Sequence, residues 1–285
     1  MVTIDRVSLW DRIDADPDEE IATVLRIYGE RHPGTSSELI ESAFKSAFAY
    51  HDGQMRKSGE PYITHPVAVA EVIADLGLDD ITIASALLHD TIEDTGAGLE
   101  DIETQFGADV ATIVDGVTKL DRLKFDTKEA QQAASMRKMM VAVAKDIRVL
   151  IIKFADRLHN LRTLGSLPQW KQQRIATETL DIYAPLAHRL GMQELKNQVE
   201  DLAFAALHPK RYAEIDHMVA TRSPEREIYL TQVVSDVQAR LAELLIDADV
   251  TGREKHLWSI YEKMVLKGRS FDEIYDLVGI RVIVA

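Results

Sequence analysis

The sequence predicts a mainly α-helical bundle followed by the beginning of a mixed α/β region. Three observations carry this expectation. Apolar residues recur at helical spacing through most of the 285 residues. Short Gly, Pro or Asp punctuation separates the stripes. The β-branched run Val278-Gly279-Ile280-Arg281-Val282-Ile283-Val284-Ala285 then breaks the pattern and reads as a buried strand.

The elements follow in order. Ser36 to Ala49 opens on a capping residue and carries Leu39, Ile40, Ala43, Phe44 and Phe48 on one stripe. After Pro66, the residues Val67, Ala70, Val72, Ile73 and Leu76 continue such a stripe up to Gly77. Ile81 to Asp94 predicts one continuous helix. Val110 to Leu120, Ala130 to Lys145, Arg148 to Leu164, Gln169 to Arg189 and Met192 to Leu207 read the same way. Pro209 and Ser223-Pro224 mark a transition, and a long helix is expected from Glu227 to Leu245. Asp249, Thr251 and Gly252 end it. Little before the final run reads as strand, and a strand needs neighbours, so the run reads either as a tail that pairs in a dimer or, by preference, as part of a second, mixed α/β domain. The expected division is 1–196 for the bundle with its helical extension, and 197–285 for linker helices and an incomplete second domain.

Composition narrows the function. Hydrophobic residues make up 46%, enough for a packed core, and charged residues 28%. There is no cysteine, which excludes disulfides and thiolate-held zinc. A metal site must therefore use His, Asp and Glu. The opening residues lack a basic segment followed by an apolar run, and no apolar stretch is long enough to span a membrane, so a cytoplasmic protein is expected. The formal net charge is −14, which disfavours direct nucleic-acid binding. An anionic small substrate needs local basic residues or a metal ion to overcome that field.

Four residues form a candidate metal constellation: His65, the adjacent His89 and Asp90, and Asp156. Imidazole and carboxylate together suit a hard or borderline divalent ion. His89-Asp90 follows Ala86-Leu87-Leu88, and Asp156 follows Val149-Leu150-Ile151-Ile152 and Phe154-Ala155. A carboxylate at the end of such an apolar run must be paired, solvated or bound to a cation. Taken singly, each of these residues reads as a local cap or salt bridge; taken together they do not. Glu93 and Asp94 lie four positions beyond His89 and Asp90, so helical geometry places each acid over its partner. Two such acids beside an ion can orient and deprotonate water. Asp156, Asn160 and Thr163 share a face of a second helix, and the amide and hydroxyl suit nucleotide hydrogen bonds as well as a plain solvated stripe. His159 reads as an outer group of the site or, by preference, as a packed histidine. In the loop before His65, Arg56 suits purine stacking and Lys57 suits phosphate or base oxygens, although a two-residue basic step is also common on plain surfaces.

The segments H-D-G-Q-M-R-K-S-G-E-P-Y-I-T-H-P, L-L-H-D-T-I-E-D-T, V-D-G-V-T-K-L and K-F-A-D-R-L-H-N-L-R-T occur in one order. This combination resembles the hydrolase domain of long RelA/SpoT-type stringent-response enzymes, a branch of the HD-domain phosphohydrolases. The resemblance covers roughly residues 20 to 200 and extends into the tail. It implies an HD-domain helical bundle and a (p)ppGpp 3′-pyrophosphohydrolase yielding GDP or GTP. It implies Mn2+ held by His65, His89, Asp90 and Asp156, with Glu93 and Asp94 as the acidic pair needed for hydrolysis. Arg56, Lys57, Ser58, Tyr62, Asn160 and Thr163 match positions around the guanosine nucleotide.

The tail from Thr251 to Ser270 holds five Lys or Arg against two Glu, an island in an acidic chain. Gly252 to Met264 resembles the first motif of the family's synthetase domain, which works with ATP and Mg2+. Arg253, Lys255, His256, Ser259 and Lys263 are the matching positions, and Asp276 matches a magnesium-binding carboxylate. Without the rest of that domain this chain is not expected to synthesise anything, although its parent is expected to be bifunctional. Ribosome and tRNA contacts are expected only through regions absent here. The rival readings are an HD phosphohydrolase of another nucleotide, and a nucleotide-binding regulatory module with its hydrolase switched off.

Overall fold

A computed structural model describes residues 17–121, 145–221, 223–274 and 277–284. The fold is mainly helical, with one small sheet near the C-terminal end, in accord with the class read from the sequence. Two compact units divide the chain, Met1–Pro168 and Gln169–Ala285. Among the described residues no helix is long and apolar enough to cross a membrane.

The first unit is built from α1 (Pro17–Arg31), α2 (Glu38–Tyr50), α3 (Thr64–Asp75), α4 (Asp80–Leu87), α5 (Thr91–Asp94), α6 (Leu99–Phe106), α7 (Ala108–Asp121) and α8 (Ile147–Arg162). The helix expected over Ala130 to Lys145 lies, but for its last residue, outside the described residues. Helix α3 packs against α1, α4 and α8, and α4 also meets α2 and α7. Their shared core contains Ile40, Phe44, Val69, Ile73, Ile83, Leu87, Ile113, Val117 and Ile152. Helix α4 is apolar nearly all round because it is enclosed on several sides. Asp79 caps its start, accepting a hydrogen bond from the Thr82 amide at 3.0 Å. Where α7 meets α8, a Cβ on Gly116 would stand 2.7 Å from Cγ2 of Val149, so the close approach depends on glycine.

The sequence predicts an unbroken helix from Ile81 to Asp94, but it stops at Leu87 and resumes as one turn at Thr91. The Thr91 amide bonds to the Leu88 carbonyl at 3.1 Å, and the Asp94 amide to the Asp90 carbonyl at 2.9 Å. His89 and Asp90 thus sit in a turn between two helical pieces. Apolar spacing runs straight through such a turn and so hides it.

The second unit opens with α9 (Gln169–Glu178), a π turn over Thr179–Tyr183 and α10 (Ala184–Arg189). Pro185 has no amide proton to give the carbonyl four residues back, which accounts for the wider turn in front of it. Then follow α11 (Gln193–Leu207), α12 (Pro209–Thr221) and α13 (Ser223–Glu243). Strand β1 (Ala248–Glu254), the short α14 (Leu257–Tyr261) and β2 (Val278–Val284) complete it. A core of Phe204, Ile215, Leu257, Ile260, Phe271, Ile274 and Leu277 joins α11, α12 and α14.

The strands pair antiparallel from Ala248↔Val284 to Glu254↔Val278. Sequence reading misses β1, because Asp249 and Gly252 lower its strand propensity. It also expects β2 to be buried. Instead Ile283 and Val284 are 56% and 59% exposed, since two strands leave most of their faces open.

Candidate metal centre and its surroundings

The site lies within the first unit and draws on three stretches of chain. The first is a small hairpin. Met55 and Pro61 form an antiparallel bridge, the Arg56 amide bonds to the Glu60 carbonyl at 2.8 Å, and Gly59 turns the chain with φ +93°. The Tyr62 amide reaches back to the Gln54 carbonyl at 3.0 Å. Arg56 and Tyr62 are thereby fixed near the hairpin base, one step before His65 in the first turn of α3. Pro66 is tolerated there because an amide in a first turn needs no helical acceptor. The second stretch is the turn carrying His89 and Asp90, with Glu93 and Asp94 after it. The third is α8, presenting Asp156, His159 and Asn160, with Thr163 at its end.

His65, His89 and Asp156 are buried, at 2%, 1% and 4% exposure. Nε2 of His65 lies 3.3 Å from Oδ1 of Asp156 and 3.4 Å from Oδ2 of Asp90. Nε2 of His89 lies 3.1 Å from Oδ1 of Asp90. Donor atoms of His65, His89 and Asp156 all fall within 4.8 Å of one another. Around a divalent ion with ligand bonds of about 2.1 Å, neighbouring donors stand roughly 3 to 3.5 Å apart. The spacing of these atoms fits that sphere.

The hydrogen bonds on the far sides of the rings support the same assignment. Nδ1 of His89 lies 2.7 Å from the Ala86 carbonyl, which can only accept, so Nδ1 carries the proton. Nε2 of His89 is then left as the ring's free donor atom, and it is buried with no aligned hydrogen-bond partner among the described residues. An imidazole nitrogen 3.1 Å from a carboxylate oxygen calls for a proton or a cation between them. The donor set therefore fits a divalent metal.

The electrostatics favour positive charge at this centre. Burial opposes ionisation of His89, but Asp90 and Asp156 outweigh it and push its pKa up to about 9. Burial also works against the Asp156 carboxylate, yet Lys153, His65 and His89 hold it far below the usual range. Asp90 is likewise held low by His89 and His65 against its burial. Burial, followed by repulsion from His65 and Arg56, brings His159 down to about 2. The Tyr62 phenol is pushed up by burial and by Asp90 and Asp94.

The remaining candidates divide by place. The Tyr62 hydroxyl bonds to Oδ2 of Asp90 at 2.8 Å and also to Oδ2 of Asp94, so it ties the acidic pair to the metal pair. Glu93 and Asp94 are exposed at the rim. Arg56 donates to Oδ1 of Asn160 at 3.2 Å and to the Thr163 hydroxyl at 3.5 Å, bringing hairpin and α8 together. Asn160 in turn donates to Oδ1 of Asp156. Lys57 and Ser58 are exposed on the hairpin, where the Ser58 hydroxyl donates to Glu60 at 3.0 Å.

Sequence reading passes over several members of this network. Lys153 is buried and pairs with Oδ2 of Asp156. Gln54 donates to the Asp94 carbonyl at 2.8 Å and meets Nδ1 of His51 at 2.9 Å, while the His51 ring stacks on Tyr62. A buried lysine within an otherwise apolar run, as at Lys153, was the available signal. His51 and Gln54 lie in the H-D-G-Q segment that carries the resemblance, but their residue types alone single out no role.

The tail residues belong to the second unit. Arg253 is in β1, and the Lys255 amide bonds to the Leu277 carbonyl at 3.0 Å. Nε2 of His256 is 3.0 Å from Oε2 of Glu200. Asp201 accepts from the amides of Leu257 and Trp258 at 3.2 and 2.7 Å and so caps α14. Ser259 lies on α14, and Lys263 lies in a π turn over Glu262–Leu266, so the two do not sit on one regular α-helix. Asp276 falls outside the described residues.

A helical unit with a His-Asp pair at its centre defines a class, and comparison with known proteins gives the same one. Residues 43–193 match the family model described as HD domain. Residues 252–285 match the model described as region found in RelA / SpoT proteins. A GTP pyrophosphokinase of Streptomyces coelicolor is 58% identical over 93% of this chain and 31% of its own length. The bifunctional (p)ppGpp synthase/hydrolase RelA of Mycobacterium tuberculosis is 50% identical over 91% of this chain and 35% of its own. The bifunctional (p)ppGpp synthase/hydrolase SpoT of Escherichia coli is 51% identical over 88% and 36%. The chain belongs to the RelA/SpoT family of HD-domain proteins. It spans about a third of the length of the curated relatives it matches.

Proposed function

We propose that the first unit is a manganese-dependent pyrophosphohydrolase acting on (p)ppGpp in the cytoplasm. Water attacks the phosphorus attached at the ribose 3′ oxygen, that P–O bond breaks, and the 3′ oxygen takes up a proton to leave as the hydroxyl of GDP or GTP, with pyrophosphate as the other product. The observation that carries this reading is the convergence of Nε2 of His65, Nε2 of His89 and the carboxylates of Asp90 and Asp156 on one small volume. The names of the relatives, which include both synthase/hydrolases and pyrophosphokinases, are consistent with it.

The four residues would hold the ion, which when bound supplies positive charge for a phosphate oxygen and lowers the pKa of a water. The chain's own groups do the rest. Glu93 or Asp94, exposed at the rim, accepts the proton of the attacking water. The Tyr62 hydroxyl holds Asp94 in place. Arg56, Asn160 and Thr163, already joined by hydrogen bonds, orient the guanosine nucleotide, with Lys57 and Ser58 beside them.

Incubation of the purified protein with guanosine tetraphosphate, with and without Mn2+, tests this by product chromatography. GDP and pyrophosphate are expected only with the ion. Tight binding without turnover would instead favour a regulatory nucleotide-binding module, and turnover of other nucleotides alone would favour a different HD hydrolase. The match over residues 252–285 supports a second role for any chain that carries the complete synthetase domain, pyrophosphoryl transfer from ATP to GDP or GTP with Mg2+.

A further inference from the structure

We infer that His159 is a positioning residue that fixes the metal-binding tautomer of His65 and holds Arg56 in register with it. The inference rests on the reading of His65 as a metal ligand. Nδ1 of His159 lies 2.8 Å from Nδ1 of His65 and 2.9 Å from Nη1 of Arg56. A guanidinium has only protons to offer, so Nδ1 of His159 must be the acceptor. It is therefore unprotonated. The facing Nδ1 of His65 must then carry the proton, since two bare ring nitrogens at this distance would repel. His65 is thereby left with its free lone pair on Nε2, the atom that faces Asp156 and Asp90.

The arrangement differs from that at His89, where a backbone carbonyl does the same service. At His159 two donors from different elements, α3 and the hairpin, share the single lone pair of Nδ1, so one imidazole touches both the metal ligand and the arginine assigned to the nucleotide. The rings of His65 and His159 lie 4.9 Å apart between centroids, which limits the freedom of each to turn. Lost acceptors of this kind typically cost about 10- to 100-fold in metal affinity or activity.

The test uses the whole chain and two readouts that need no turnover. In His159→Asn the side-chain oxygen takes the place of Nδ1 and keeps an acceptor; in His159→Leu it is gone. Mn2+ titration by calorimetry should give near-wild-type affinity for His159→Asn and a loss of about tenfold or more for His159→Leu. Equal affinity of His159→Leu and wild type overturns the inference. A parallel measurement avoids any dependence on variant folding. Imidazole 15N spectra of the wild type should show Nδ1 protonated on His65 and bare on His159, and the reverse assignment overturns the inference. If the wild type binds no divalent ion while the spectra match, the failure lies with the metal reading rather than with the hydrogen-bond arrangement.

Discussion

At the scale of single residues the site depends on which atoms face inward. Asp90 offers one oxygen to His89 and the other to His65 and Tyr62, so its removal empties the middle of the donor set. Glu93 is exposed and four positions from His89 in a chain that turns between them. Asp90→Ala should therefore lose Mn2+ binding and hydrolysis together, whereas Glu93→Ala should bind Mn2+ and lose turnover by about 100-fold or more. Calorimetry beside a product assay separates the two, and full turnover in either variant would remove the residue from the scheme. The raised pKa of His89, about 9, gives a pH dependence. Below that value the metal-free site holds a proton that the ion must displace, so affinity for Mn2+ should weaken as pH falls. For one displaced proton the loss is about tenfold per pH unit, levelling off above pH 9. Affinity that stays flat between pH 6 and 9 would show that no ligand proton is released. His65, His89, Asp90 and Asp156 stand out in the sequence because polar groups interrupt apolar runs. His159 does not, because it sits among Arg157, Asn160 and Arg162 on a helix where polar residues are ordinary.

At the scale of elements, the position of α8 against α7 sets where Asp156 can stand. Gly116 permits that approach, and the Val149 methyls fill the room that a Cβ would need. Gly116→Ala gains about 1 kcal/mol in helix propensity but forces a branched, stiff neighbour to move, at a cost of about 1 to 3 kcal/mol. The clash should win, and chemical denaturation should show a less stable protein. Adding Val149→Ala should remove the penalty of the glycine change, so the pair is non-additive. A stabilised Gly116→Ala protein would mean that α7 and α8 are not locked by this contact. The helical elements were legible from their apolar period. The turn at Leu88–Asp90 was not, because period alone does not register a break that preserves spacing. Strand β1 was hidden for a different reason. Its own residues favour strand only weakly, and pairing with β2 supplies what propensity lacks.

At the scale of the whole molecule, every side chain assigned to the metal centre lies within Met1–Pro168, and none is drawn from Gln169–Ala285. An ion that binds only the folded first unit stabilises that unit by mass action. At 100 times its dissociation constant the gain is about 2.7 kcal/mol. For a unit of this size that corresponds to a rise of roughly 5 to 10 °C in its melting temperature. Scanning calorimetry with and without Mn2+ should therefore move the transition of the first unit and leave that of the second where it was. Asp156→Ala should abolish the shift, because it removes a ligand that Lys153 and Asn160 hold in place from two sides. The chain's net charge of −14 gives Mn2+ a general attraction that any acidic surface would share, and added salt weakens it. A shift that survives in 0.5 M NaCl and disappears in Asp156→Ala belongs to the buried site. One that fades with salt and persists in the variant would be surface binding, and would leave the first unit without its ion.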